Sequence, residues 1–167
     1  MTKDSFVFMN KLYLLLGSNM GNSLQQLAAA RKHISKKIGF VTRQSKLYQT
    51  AAWGKTDQPD FLNQVIVVTS KYDAFTILEK ILQIEHTMGR IRSIKNAPRI
   101  IDIDILFFNK EIINTKNLVV PHPAIAQRRF VLTPLNELSP QFIHPVLHNS
   151  NYNLLLKCSD TLNVKKI

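Results

Sequence analysis

The twelve residues from 98 to 109, PRIIDIDILFFN, constrain this chain more than any other stretch. Strong β-formers at 100, 101, 103 and 105–108 predict a strand. Successive side chains on a strand point to opposite faces, so Asp102 and Asp104 share one, with Cα atoms roughly 6–7 Å apart. Two carboxylates on one face of an otherwise apolar strand are costly unless something cationic meets them. Arg90, Arg92 and Arg99 stand just upstream. The pair is therefore either part of a structural salt-bridge network or a set of hard oxygen ligands for Mg²⁺ beside phosphates.

Charge narrows the partners. The chain carries a net charge of +11, which favours anions, whether nucleic acid or small phosphates. Its 15 lysines are scattered, whereas three of its seven arginines fall at 90–99 and two more at 128–129. A guanidinium fork suits phosphate clamping better than an ammonium does. At 167 residues the chain fits one domain, 1–167, with residues 1–10 as a loose leader and Met9 as a second candidate start. No apolar run approaches the roughly 18 residues of a membrane helix. The single cysteine, Cys158, fits a reducing cytoplasm, so the expected location is cytoplasmic; a monomer without a membrane partner is expected, and the acid pair argues against a nucleic-acid partner.

Periodicity orders the remaining elements. Residues 11–16 read as a buried strand ending at Gly17-Ser18-Asn19. Asn22 or Ser23 then caps a helix with Leu24, Leu27, the aliphatic stem of Arg31, Ile34 and Ile38 inward, stopped by Gly39. Residues 40–48 suit a strand near an edge, and the loop 50–60 carries the only tryptophan, Trp53, as a core plug or a lid. Residues 61–70 form a strand with Phe61, Asn63 and Val65 on one face. Asn63 either satisfies loop backbone or offers an amide to a flat polar heterocycle that an aromatic stacks upon. Asp73 caps a second helix with Leu78, Ile81, Leu82 and Ile84 inward, Glu85 on the same side, and Gly89 as its stop. A hairpin follows at 112–120, then His122 between two prolines, a short helix at 124–129, and loop from 133 onward save a helix near 152–157. The order β-α-β-β-α-β, with a hairpin and short helices after it, predicts a ferredoxin-like α+β fold: an antiparallel sheet with helices on one face.

Several of these segments coincide with the motifs of one family. LGSN at 16–19, DQPDFLN at 57–63, GRIR at 89–92, PRIIDIDIL at 98–106 and VPHP at 120–123, followed by Arg128 and Phe130, resemble 6-hydroxymethyl-7,8-dihydropterin pyrophosphokinases over about residues 12–140. The resemblance implies a folate-pathway enzyme that moves pyrophosphate from ATP to the pterin hydroxymethyl group and releases AMP. It implies two Mg²⁺ ions held by Asp102 and Asp104, with Arg90 and Arg92 on a loop that closes over the triphosphate. Further ATP contacts would be Glu85, Arg99, Ile105, His122 and Arg128. The pterin would stack between Phe61 and Phe130, with Asn63 on its edge and Thr50, Ala51 and Trp53 completing the recognition. No side chain in these motifs stands out as a general base.

The chain also departs from that pattern. Asn96-Ala97 stand where many members carry Trp-Gly, and the loop at 93–97 is one residue short. Asn117 and Val119 replace an arginine and a threonine, and Leu82 replaces a glutamine. The main rival is a basic RNA-binding module of similar fold, which would interleave aromatic and basic residues across the sheet. Asp102 and Asp104 on the central strand argue against it.

Overall fold

The structure is a computed structural model that describes residues 8–52, 57–92 and 97–167. Its main sheet has the order β5 (Asp102–Phe108), β1 (Asn10–Ser18), β4 (Phe61–Ser70), β3 (Tyr48–Thr50), β8 (Val164–Lys166), with β2 (Phe40–Gln44) also paired to β4. Every pairing is antiparallel. Helices α1 (Ser23–Lys37) and α2 (Ala74–Thr87) connect β1 to β2 and β4 to β5, which is the ferredoxin-like arrangement. The expected strand at 40–48 divides into β2 and β3, because Ser45 turns inward and gives its hydroxyl to the ladder. Its Oγ accepts the Val65 N–H at 3.1 Å.

Helix boundaries follow from caps. Asn22 accepts the Gln25 N–H, and Asp73 accepts the N–H groups of both Phe75 and Thr76 at 2.9 Å. Gly89, at φ +88, provides the left-handed residue that ends α2. Gly39 is required for a different reason: a Cβ there would lie 2.1 Å from the Thr69 carbonyl oxygen.

Strand alternation splits the core in two. Leu12, Leu14 and Leu16 of β1 join Leu62 and Ile66 of β4 against α1 and α2, through Leu27, Ile34, Ile77, Ile81 and Ile84. Tyr13, Leu15, Val65, Val67 and Phe107 face the opposite way, onto α3 (Arg129–Leu138) and α4 (Asn151–Lys157) through Val131, Leu132, Leu135 and Leu154. The sheet is therefore covered on both faces, not on one as the sequence suggests. The expected short helix at 124–129 is a 3₁₀ turn, Ile125–Gln127, and the longer α3 begins just after it. Leu24 and Leu82, expected inward, are exposed; Ala30 and Ile77 take those buried positions. The hairpin β6 (Ile113–Asn114) and β7 (Val119–Val120) forms as its spacing predicts.

Candidate active site

Register places the central chemistry. Gly17 of β1 is paired with Asn63 of β4 on one side and Asp102 of β5 on the other, and Leu15 is paired with Asp104. Asn63, Gly17 and Asp102 thus form one row across three adjacent strands, with the outer two about 10 Å apart at a strand spacing of about 4.8 Å. The row opens onto the sheet face that α3 covers. There, one recess is lined by Gly17, Thr50, Ala51, Gln58, Phe61, Asn63, Arg99, Asp102, Asp104, Arg128 and Phe130, with Leu15 as its floor. Gly17 is fitted closely to it: a Cβ would stand 3.0 Å from Asn63 Oδ1 and 3.7 Å from the Phe61 ring. Sequence reading assigned Gly17 to a turn and to the LGSN motif, without a role in the site. Its part in the site depends on cross-strand register, which no local pattern carries.

The amide end of the recess is rigid. Asn63 is 3% exposed and donates through Nδ2 to Thr50 Oγ1 at 2.8 Å. Its Oδ1 remains toward the pocket as an acceptor. Asn19, just after β1, ties the loops around the recess together. It donates to Gln58 Oε1 and the Pro59 carbonyl, and accepts the Arg99 N–H at 2.9 Å. The Arg99 guanidinium carbon lies 5.7 Å from the Phe61 ring centre, and that of Arg128 lies 5.8 Å from the Phe130 ring. Both distances allow cation–π attraction. Trp53 lies outside the described residues, as do residues 93–96 of the short loop.

At the acidic end, the two aspartates differ. Asp102 is met by arginine on both oxygens, Arg90 Nη1 at 2.5 Å and Arg99 Nη1 at 2.7 Å. Arg90 also bonds Glu85 at 2.6 Å, and Arg92 reaches the other Glu85 oxygen. Glu85 itself is 1% exposed and accepts the Ile103 N–H at 2.9 Å. It lines neither recess; it anchors the two arginines to β5. The Asp104 carboxylate, by contrast, meets no hydrogen-bond donor among the described residues. Burial, reinforced by the Asp102 carboxylate and only partly opposed by Arg128, pushes its carboxyl up to about 7. A half-buried carboxylate so disfavoured is relieved by a cation.

A second recess meets the first at Asp104. It runs past Arg92, Ile105, His122, Lys116, Asn117, Val119 and Leu82, so three of the positions that depart from the family pattern, Leu82, Asn117 and Val119, line it. His122 Nδ1 accepts the Ala124 N–H at 3.2 Å, which leaves the ring proton on Nε2. Burial, and then the Arg128 cation, lower its pKa, so it is neutral at pH 7. Of the expected site residues described, all except Glu85 line one recess or the other or, in Arg90, bond the acid pair directly.

Among the described residues, no group of three or more His, Cys, Asp or Glu side chains converges. Two carboxylates with spare lone pairs suit Mg²⁺, which typically takes one or two protein carboxylates and fills its octahedron with water and phosphate oxygens. The residues present therefore fit such an ion.

Comparison with known proteins agrees with this geometry. The chain is 40% identical over 133 residues to the 2-amino-4-hydroxy-6-hydroxymethyldihydropteridine pyrophosphokinase of Bacillus subtilis, covering 79% of this chain and 80% of that protein. The enzyme of the same name from Methylorubrum extorquens is 38% identical over 136 residues, 81% and 86% of the two lengths. The folic acid synthesis protein FOL1 of Dictyostelium discoideum is 36% identical over 158 residues, but this chain spans only 24% of it. The fold matches the crystal structure of wild-type Plasmodium falciparum HPPK-DHPS with a TM-score of 0.76 at 22% identity, covering 90% of this chain and 43% of that one. A family model for 7,8-dihydro-6-hydroxymethylpterin-pyrophosphokinase matches residues 13–140. Taken with relatives that share both their sequence and most of their length with it, that match makes the chain a member of this pyrophosphokinase family.

Proposed function

We propose that the chain transfers the pyrophosphoryl group of ATP to the hydroxymethyl oxygen of 6-hydroxymethyl-7,8-dihydropterin and releases AMP, a step toward folate. The observation that carries this reading is the meeting of two recesses at Asp104: one with an amide and two aromatic rings, the other with a neutral histidine and cations. A flat heterocycle fits the first, stacked between Phe61 and Phe130 with its edge on Asn63. A nucleotide fits the second, with its base near Ile105 and its phosphates toward Arg92, His122 and Arg128.

Transfer forms a bond between the hydroxymethyl oxygen and the β-phosphorus as the bridge to the α-phosphate breaks. AMP leaves with that electron pair, and the hydroxyl proton passes to bulk water. The protein's share is positioning and charge stabilisation. Asn63 and the rings hold the acceptor in line, while Arg90, Arg92, Arg99 and Arg128 neutralise charge that gathers on phosphoryl oxygens. Asp102 and Asp104 would hold two Mg²⁺ ions, which supply Lewis-acid polarisation of the phosphates. For Asp102 to join them, Arg90 or Arg99 must share or release its oxygen, and the guanidinium group that lets go then becomes available to ATP.

Incubation with ATP, Mg²⁺ and the hydroxymethyl pterin should yield AMP in step with pterin consumed. ADP in its place would point to an ordinary kinase and sink the assignment. Asp102→Ala and Asp104→Ala are each expected to abolish turnover; activity retained in either would remove that residue from the metal set.

A further inference from the structure

The last eight residues of this sequence touch both walls of the pterin recess, and they lie outside the segment, 13–140, that the family model matches. On one side β8 runs antiparallel to β3, with Val164 opposite Thr50, Lys165 opposite Gln49 and Lys166 opposite Tyr48. The Ile167 N–H continues the ladder to the Leu47 carbonyl at 3.0 Å. Without this partner β3 would be a three-residue edge strand, and such strands fray readily. Thr50 ends β3, and its hydroxyl is the group that orients the Asn63 amide.

The same segment grips the opposite wall. Asp160 accepts the Arg129 N–H through Oδ2 at 2.9 Å and the Leu162 N–H through Oδ1 at 3.0 Å. Arg129 is the first residue of α3, and the position before it is held by Arg128, whose side chain makes no capping bond to the helix. A helix start needs acceptors for its first N–H groups. Here a carboxylate 31 residues further along the chain supplies one. The amide it holds lies between Arg128 and Phe130, both of which line the recess.

We propose that Asp160 and β8 form a strap that fixes the separation of the two pterin-binding walls, with Asp160 positioning Phe130 and β8 positioning Thr50. The inference rests on the pterin assignment above for its substrate, but not for its geometry. A rigid strap keeps the stacking rings and the amide at the spacing of one heterocycle. It costs entropy once, on folding, so that less is lost on binding.

The experiment uses the whole chain with Asp160→Ala, Asp160→Asn, and a variant ending at Asn163. In D160A the KM for pterin is expected to rise about five- to tenfold, the loss of one helix cap, with kcat within about twofold. D160N should recover part of that loss, because its one amide oxygen can still accept the Arg129 N–H although the Leu162 N–H then loses its acceptor. The shortened variant should raise the same KM. In the substrate-free protein, amide hydrogen exchange should quicken at 129–131 in D160A and at 48–50 in the shortened chain. A lower Tm with pterin KM unchanged would reduce the strap to a stability element and overturn the proposal, as would quickened exchange without a change in KM. If the wild-type chain releases no AMP, the functional reading fails by itself. Exchange then decides the strap alone, since unchanged rates at both walls would refute it.

Discussion

Asp104 carries opposite consequences for stability and for activity. Its carboxyl, raised to about 7 by burial and by Asp102, sits above the unfolded value of about 3.9. A raised folded pKa contributes stability that is fully present below the unfolded value and is lost as pH rises through the folded one. The metal-free protein should therefore lose the Asp104 contribution between about pH 4 and pH 7. Asp104→Asn should remove that part of the slope and raise Tm at pH 8 by ~2 °C or more, the shift that about 1 kcal/mol gives in a domain of this size. The same variant should be inactive. Thermal melts in EDTA at pH 5 and pH 8 test this, and a D104N protein that melts below wild type at pH 8 would contradict it. Protons and Mg²⁺ compete for one carboxylate, so apparent Mg²⁺ affinity should fall by up to about tenfold for each pH unit below 7. Isothermal titration at pH 6, 7 and 8 would measure that slope, and a flat profile would remove Asp104 as a ligand. That the two aspartates share a face was legible in the sequence, because strand alternation depends only on spacing. Their inequality was not. It comes from Arg90 and Arg99 closing on Asp102 alone, a matter of where the loop before β5 folds back.

At the scale of elements, the site depends on which strands are neighbours. β1 lies between β4 and β5, so Gly17 stands between the amide and the acid. Gly17→Ala would place a methyl group 3.0 Å from Asn63 Oδ1, tighter than ordinary contact, and displace the amide from the Thr50 hydroxyl. Pterin KM is expected to rise at least about tenfold, an energy of about 1.4 kcal/mol, with ATP KM little changed. Steady-state kinetics with each substrate varied would show it; equal loss for both substrates would mean general collapse instead. The strands and first two helices were readable, since each has a clean period and a recognisable cap. α3 was not, because Pro134 inside it and Pro140 after it resemble loop punctuation. β8 was invisible for another reason: Val164–Lys166 is a three-residue strand with two lysines, and only its pairing with β3 makes it one.

Across the whole molecule the charge is unevenly divided. Residues 5–56, which hold α1, β2 and β3, contain eight lysines and arginines and no acid at all. Ten of the eleven acids fall later, Asp4 alone preceding the segment, and Asp102 and Asp104 line the recess. Composition alone left two readings of the +11 surplus, nucleic acid or small phosphates, and it could not say where the charge would sit. The fold sets Arg31, Lys32 and Arg43 around one hollow on α1 and β2, apart from the acid pair, which lines the recess with Arg99 and Arg128. Such a field should draw a polyanion toward the protein while leaving a neutral pterin unaffected. Salt shortens its reach, from a Debye length of about 10 Å at 0.1 M to about 3 Å at 1 M. The kcat/KM for ATP should therefore fall several-fold between about 0.05 and 0.5 M NaCl at saturating pterin and Mg²⁺. The kcat/KM for pterin at saturating ATP should stay within about twofold over the same range, because that substrate carries no charge for the field to act on. Replacing Lys32, Lys36 and Arg43 by glutamine should flatten the ATP dependence without altering kcat, since none of the three lines the recesses at Asp104. Parallel loss for both substrates would trace the salt effect to the fold and leave the cations of α1 and β2 with no part in capture.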